Sequence, residues 1–253
     1  MAAATLAERI AFLEPWFEVA KPDGLGPFPL LVMLHGCGGR QPFLDGYAEV
    51  AREQGVASLI VDSHKPRRIG MIGASLTVCT GARLQGRERA GDLFAAFAWA
   101  RAQAWVDASR IMAAGWSHGG WTVLDALALR PGAEMARATK LSGLPDEPLQ
   151  GLAAAFLGYP YAGVAALSGR RRLRLDVPIS AIVCGRDTIV GTKAPLAALS
   201  RMRGRGAAID VSVFDTATHA FECDTALDPR VRYDRDLTLR AHDLMRDMIL
   251  RAA

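Results

Sequence analysis

The chain has 253 residues and a formal net charge of +4, from 30 Lys and Arg against 26 Asp and Glu. Hydrophobic residues make up 51% and charged residues 22%, which excludes a disordered chain and leaves enough apolar material for one large core, read as a single domain over 1–253. So even a mixture of signs is weak ground for an anionic partner, and no run reaches the ~18 to 20 apolar residues of a membrane span.

Export and metal binding find little support either. Met1 to Ile10 carries Glu8 beside Arg9, without the basic start and continuous apolar core of a signal peptide. Cys37, Cys79, Cys184 and Cys223 show no CxxC or metal spacing, which favours a reduced, cytoplasmic setting without a metal. A Cys37–Cys79 disulfide would instead fit an exported protein.

In chain order, the buried-strand run Leu30 to Leu34 opens into His35-Gly36-Cys37-Gly38-Gly39. Leu44, Tyr47, Val50 and Ala51 then recur at helical spacing over Phe43 to Gln54, and Gly55 stops that helix. A strand at Ala57 to Val61 precedes an irregular stretch, Asp62 to Gly86, and a helix from about Arg87 to Ala104. The apolar run Ile111 to Ala114 enters Gly115-Trp116-Ser117-His118-Gly119-Gly120, from which a helix leaves toward Leu129 and Pro131. Pro131 to Gly151 and Tyr159 to Asp176 read as a lid or crossover. Strands at Ile179 to Cys184 and Ile209 to Phe214 follow, and Asp236 to Arg251 closes the chain as an amphipathic helix. Such alternation predicts an α/β fold, a mostly parallel sheet with helices on both faces.

A serine between two glycines on a strand-to-helix turn reads as a nucleophile elbow, because positions two before and two after a protruding nucleophile come too close for side chains. The bland alternative is a glycine-rich strand end with a helix N-cap serine. Later strand ends carry Gly185-Arg186-Asp187 and Asp215-Thr216-Ala217-Thr218-His219, so an acid and a histidine follow Ser117 in the order such a sheet requires. Asp215 competes with Asp187 for the acid, but it lies on the same strand exit as His219 and would have to fold back sharply.

The set His35-Gly36-Cys37-Gly38-Gly39, Val61-Asp62-Ser63, Gly115-Trp116-Ser117-His118-Gly119-Gly120, Gly185-Arg186-Asp187 and His219-Ala220-Phe221 resembles the dienelactone hydrolase family of α/β-hydrolases, from about Lys21 to the last helix. The resemblance implies Ser117 as nucleophile, Asp187 as triad acid and His219 as base, with the amides of Cys37 and His118 as oxyanion donors. In one respect the chain departs from it: the namesake enzymes carry cysteine where this chain has Ser117.

Asp62 to Gly86 is expected to shape the pocket, with Met71, Ile72 and Leu76 as an apolar wall. Arg67 and Arg68 are candidate partners for a substrate carboxylate, against a plain solvated loop, and Trp116 and Phe221 are further candidate substrate contacts. His35 reads as a support of the glycine loop, His64 as a pocket candidate and His242 as a solvent-facing residue. Arg170, Arg171, Arg172 and Arg174 form the densest basic cluster, without the aromatic interleaving of a nucleic-acid site.

The expected reaction is hydrolysis of a small-molecule ester or lactone through an acyl-enzyme, with no cofactor, metal, nucleic-acid or membrane partner, and with a homodimer allowed. A short-peptide or amide hydrolase and a non-catalytic binding scaffold are the alternatives.

Overall fold

The computed structural model describes residues 3–70, 73, 77, 78, 81 and 83–252. Its main sheet has seven strands: β2 (Phe17–Ala20), β3 (Phe28–Leu34), β4 (Ala57–Val61), β5 (Val106–Trp116), β7 (Leu152–Gly158), β8 (Ile179–Cys184) and β9 (Ile209–Phe214). They lie in the order β2-β4-β3-β5-β7-β8-β9, and only β2 runs antiparallel to its neighbour. A two-stranded parallel ribbon pairs β1 (Ala4–Thr5) with β6 (Leu141–Ser142).

The central strands are apolar on both faces because helices cover both. Leu30, Val32 and Leu34 of β3 join Phe94 and Phe97 of α3 (Gly86–Arg101) and Leu124 and Leu127 of α4 (His118–Ala128) in one core. Leu31 and Met33 point the other way, against Leu44 and Tyr47 of α2 (Phe43–Glu53) and Met245 and Ile249 of α7 (Arg235–Ala252). Full burial of each such side chain is worth roughly 1.5–3 kcal/mol, so the alternation within β3 fixes its register against both helical layers. The other α-helices among the described residues are α1 (Leu6–Leu13), α5 (Ala133–Thr139) and α6 (Lys193–Gly204).

Several elements depart from the periodic pattern. The predicted alternation begins at Leu30, yet α1 precedes it, held by a capping box in which the Glu8 amide donates to Thr5 Oγ1 (3.1 Å) and the Thr5 amide to Glu8 Oε2 (2.7 Å). The run Leu152–Gly158 is rich in alanine, a helix former, but pairs between β5 and β8 because small side chains suit the crowded sheet centre. His242 does not face solvent: it is half-buried, with its ring edge-on to Tyr47 at 4.6 Å. Among the described residues no helix is long and apolar enough to cross a membrane.

Candidate active site

Ser117 sits at the top of β5, directly before α4, with φ of 53°. A non-glycine residue in that region is strained, and strain of this kind clusters at functional turns. The amide of Ser117 donates to the carbonyl of Gly158 at 2.8 Å, tying the turn to the end of β7. The neighbouring glycines are required by contact. A Cβ on Gly115 would lie 2.4 Å from the backbone of Gly119, and one on Gly119 would lie 2.1 Å from the carbonyl oxygen of Leu34.

Two further strand ends bring their side chains to this turn. His219 follows β9, and its Nε2 lies 2.9 Å from Ser117 Oγ. Its Nδ1 lies 2.7 Å from Oδ2 of Asp187, which follows β8. The other carboxylate oxygen of Asp187 accepts from the amides of Ile189 and Val190, each at 2.9 Å. Burial pushes the Asp187 carboxyl upward, but His219 and the two amides outweigh it and hold it below its usual range. A fixed anion at Nδ1 leaves Nε2 as the nitrogen that faces the serine hydroxyl. Asp215 is exposed, with its backbone packed on Gly185, so the acid beside His219 is Asp187. The ring of Tyr159 closes the inner side of His219, edge-on at 4.7 Å.

A cavity of about 260 Å³ opens at Ser117, with Cys37 and His118 beside the hydroxyl and Trp121, Tyr161 and Val190 among its walls. Trp121 and Tyr161 pack at 4.8 Å, and the Trp121 indole N–H donates to Asp125 Oδ2 at 2.8 Å. Among the described residues no Asp, Glu, Lys or Arg side chain lines it.

That lining includes none of the four expected substrate contacts. Arg67 is committed elsewhere, donating to Asp92 Oδ1 (2.8 Å) and to the Ser63 carbonyl (2.7 Å), and exposed Arg68 is absent from the cavity wall. Trp116 and Phe221 are wholly buried: the chain turns sharply beside Ser117 and after His219, so both rings point into the core. Met71, Ile72 and Leu76 lie outside the described residues. His64 is buried edge-on to His35 at 4.6 Å rather than facing the cavity. His35 does brace the glycine loop, accepting at Nε2 from the Ser63 amide (3.1 Å) with Nδ1 2.6 Å from the Gly36 carbonyl. Cys37 is disulfide-bonded, contrary to the reduced-thiol expectation, since pairing depends on which loops the fold brings together. Cys79 lies outside the described residues, and Cys184 and Cys223 are free and buried. Within the basic cluster, Arg171 pairs with Glu134 and Arg174 with Glu147.

Known structures share this arrangement of sheet and helices. The apo form of esterase 2 from Thermogutta terrifontis is 18% identical, with a TM-score of 0.67 over 93% of this chain and 88% of that one. The same esterase phosphonylated by sarin gives 15% and 0.68, over 93% and 89%. The dienelactone hydrolase-like promiscuous phosphotriesterase P91 from metagenomic libraries is 21% identical, with a TM-score of 0.64 over 93% and 98%. The chain has the α/β-hydrolase fold. Residues 53–133 match the prolyl oligopeptidase family, a stretch that contains the elbow. No curated protein matches the chain.

On this α/β-hydrolase sheet the buried charges set a pH dependence of stability. Burial holds His35, His64, His118 and His242 below the usual histidine range, so the native state binds protons at these rings less readily than the unfolded chain does. Burial has the opposite effect on acids, raising Asp125 and Glu222 to about 7 each, against the amides and indole that bond Asp125 and the Tyr47 hydroxyl that donates to Glu222. As pH falls through the usual histidine range the unfolded chain takes up more protons at these four histidines than the native state does, so stability falls with acid. Between pH 4 and 7 the two native acids keep protons that the unfolded chain releases, so their contribution falls as pH rises and partly cancels the first. The midpoint of thermal unfolding should therefore peak near pH ~7, and Asp125→Asn with Glu222→Gln should steepen the acid-side slope. A slope unchanged in the double variant, measured by calorimetry from pH 5 to 7, would refute these assignments.

Pattern reading passed over Asp125, Trp121, Tyr159 and Glu222. Only the Trp121–Asp125 pair left a signal, the i, i+4 spacing on one helix face.

Proposed function

We propose that this chain is a serine hydrolase that cleaves small, uncharged carboxylic esters or lactones through an acyl-enzyme. The observation that carries this reading is the chain of contacts from Ser117 Oγ through His219 to Asp187, 2.9 Å and 2.7 Å, at a cavity whose described lining residues carry no charged side chain. His219 takes the proton of Ser117 as the oxygen attacks the acyl carbon, and the amides of Cys37 and His118 hold the resulting oxyanion. The proton passes to the leaving alcohol, and water then repeats the sequence on the acyl-enzyme. At about 260 Å³ the cavity is below the usual range for drug-sized ligands, which favours short acyl groups. The resemblance of the motifs to dienelactone hydrolases and the esterase among the structural neighbours support the same chemistry. The bonded Cys37 favours an oxidising compartment over the cytoplasm expected from cysteine spacing.

A second reading, an amide or short-peptide hydrolase, is favoured by the prolyl oligopeptidase match over residues 53–133. A panel of p-nitrophenyl esters from acetate to octanoate, set against aminoacyl p-nitroanilides, separates the two. Short esters should be turned over fastest, with kcat/KM falling as the chain lengthens past the cavity. Faster cleavage of the anilides would establish the second reading. Failure of a fluorophosphonate to label Ser117 would leave only a binding scaffold.

A further inference from the structure

Arg89 is fully buried in the first turn of α3, yet no carboxylate lies within ion-pair distance of it among the described residues. Burial lowers its pKa only to about 10, so the guanidinium is charged at neutral pH. The charges of Asp92 and Asp62 offset part of the burial cost without bonding to the guanidinium, and its hydrogen bonds show what it holds. Nη1 donates to the carbonyl of His35 at 2.7 Å and lies 3.2 Å from His118 Nδ1, and Nε donates to Ser63 Oγ at 2.9 Å. His35 is the residue from which the chain leaves β3 for Gly36 and Cys37, and His118 directly follows Ser117.

We propose that Arg89 is the positioning residue of the oxyanion hole, a single planar cation that sets the spacing between the Cys37 and His118 segments. This rests on the serine-hydrolase reading above. The guanidinium is rigid in its own plane, so one group bonded to both segments constrains their separation in a way that two independent loops could not. Contact transmits the same constraint. The Gly119 position lies against the carbonyls of Leu34 and His35, where a Cβ would meet their oxygens at 2.1 Å and 2.9 Å. A shift of the His35 carbonyl is therefore felt at the elbow. The bond to Nδ1 also requires a neutral His118 ring, which burial and the Arg89 charge enforce. The preorganisation matters because the oxyanion forms only in the transition state, so its loss is read in kcat rather than in KM.

The test uses the whole chain, with p-nitrophenyl acetate as substrate and a short-chain alkyl trifluoromethyl ketone as the transition-state mimic. Arg89→Ala should lower kcat by about 10²-fold with KM within about threefold, and weaken the ketone in proportion to the loss in kcat/KM. Millimolar guanidinium should restore part of kcat in Arg89→Ala and none in wild type. Arg89→Lys, which keeps the charge but loses the planar fork, should fall by ~10-fold or more, and Ser63→Ala, which removes only the Nε anchor, by several-fold. If Arg89→Ala does not fold, these two variants decide, with activity expressed per fluorophosphonate-titrated site. Wild-type kcat and ketone affinity in folded Arg89→Lys and Ser63→Ala would overturn the proposal, as would a loss that appears only as fewer titratable sites. An unlabelled wild type would overturn the hydrolase reading itself, whereas a labelled wild type with unaffected variants overturns the role of Arg89 alone.

Discussion

Ser117→Ala should lower kcat for p-nitrophenyl acetate by 10³-fold or more and abolish fluorophosphonate labelling, while the unfolding midpoint stays within a few degrees of wild type. The size follows from the geometry. With Oγ removed, His219 Nε2 has no hydroxyl to activate at 2.9 Å, and only the oxyanion donors and the cavity remain to assist direct attack by water. Residual catalysis of that kind is small next to an acyl-enzyme route. The fold is spared because Ser117 contributes no side-chain cap to α4, and its structural bond, from its amide to the Gly158 carbonyl, survives the change. Asp187→Asn should lose less, because His219 keeps its contact with Ser117 and loses the anion that fixes its tautomer. Single-turnover kinetics on both variants checks the ranking. Retention of more than a tenth of turnover by Ser117→Ala would mean that another group is the nucleophile.

The second large effect is on folding. Gly119→Ala should destabilise the protein by ~3 kcal/mol or more, or prevent its accumulation as a folded species, because overpacking against rigid backbone exceeds the usual cost of an added methyl. The added Cβ would lie 2.1 Å from the Leu34 carbonyl oxygen, which belongs to the central strand β3 and cannot move without breaking its pairing to β4 and β5. Gly204→Ala is the control. That glycine ends α6 with nothing within 4 Å of the added carbon, so the change should be neutral or stabilising by up to ~1 kcal/mol. Urea unfolding of the two variants measures the contrast. A Gly119→Ala protein with wild-type stability would require α4 and β3 to separate at the elbow.

The same glycine marks how far sequence reasoning reached. Its place two residues after Ser117 announced a close approach, but not that the carbonyls of Leu34 and His35 are what approach. Asp187 is favoured over Asp215 by its strand, not by chain order, since adjacent strand ends can converge where one strand exit cannot readily fold back. By contrast, Leu152–Gly158 carries no strand signal because it is rich in alanine, and nothing near Arg67 in the sequence reveals its bond to Asp92, 25 positions away. Trp116 and Phe221 were expected near substrate, but a sharp turn beside each aims their rings into the core.

Read alone, the amino-acid order determined the alternation of strands and helices, the elbow, and the sequence in which serine, acid and histidine arrive. These are local properties: apolar periodicity, turn chemistry and small-residue spacing act over a few neighbouring positions. The tertiary structure alone decided which cations are spent on buried carboxylates, which aromatics line the cavity, and that Arg89 reaches both sides of the elbow. Those depend on distances between segments 25 to 54 residues apart, set by how helices seat on the sheet.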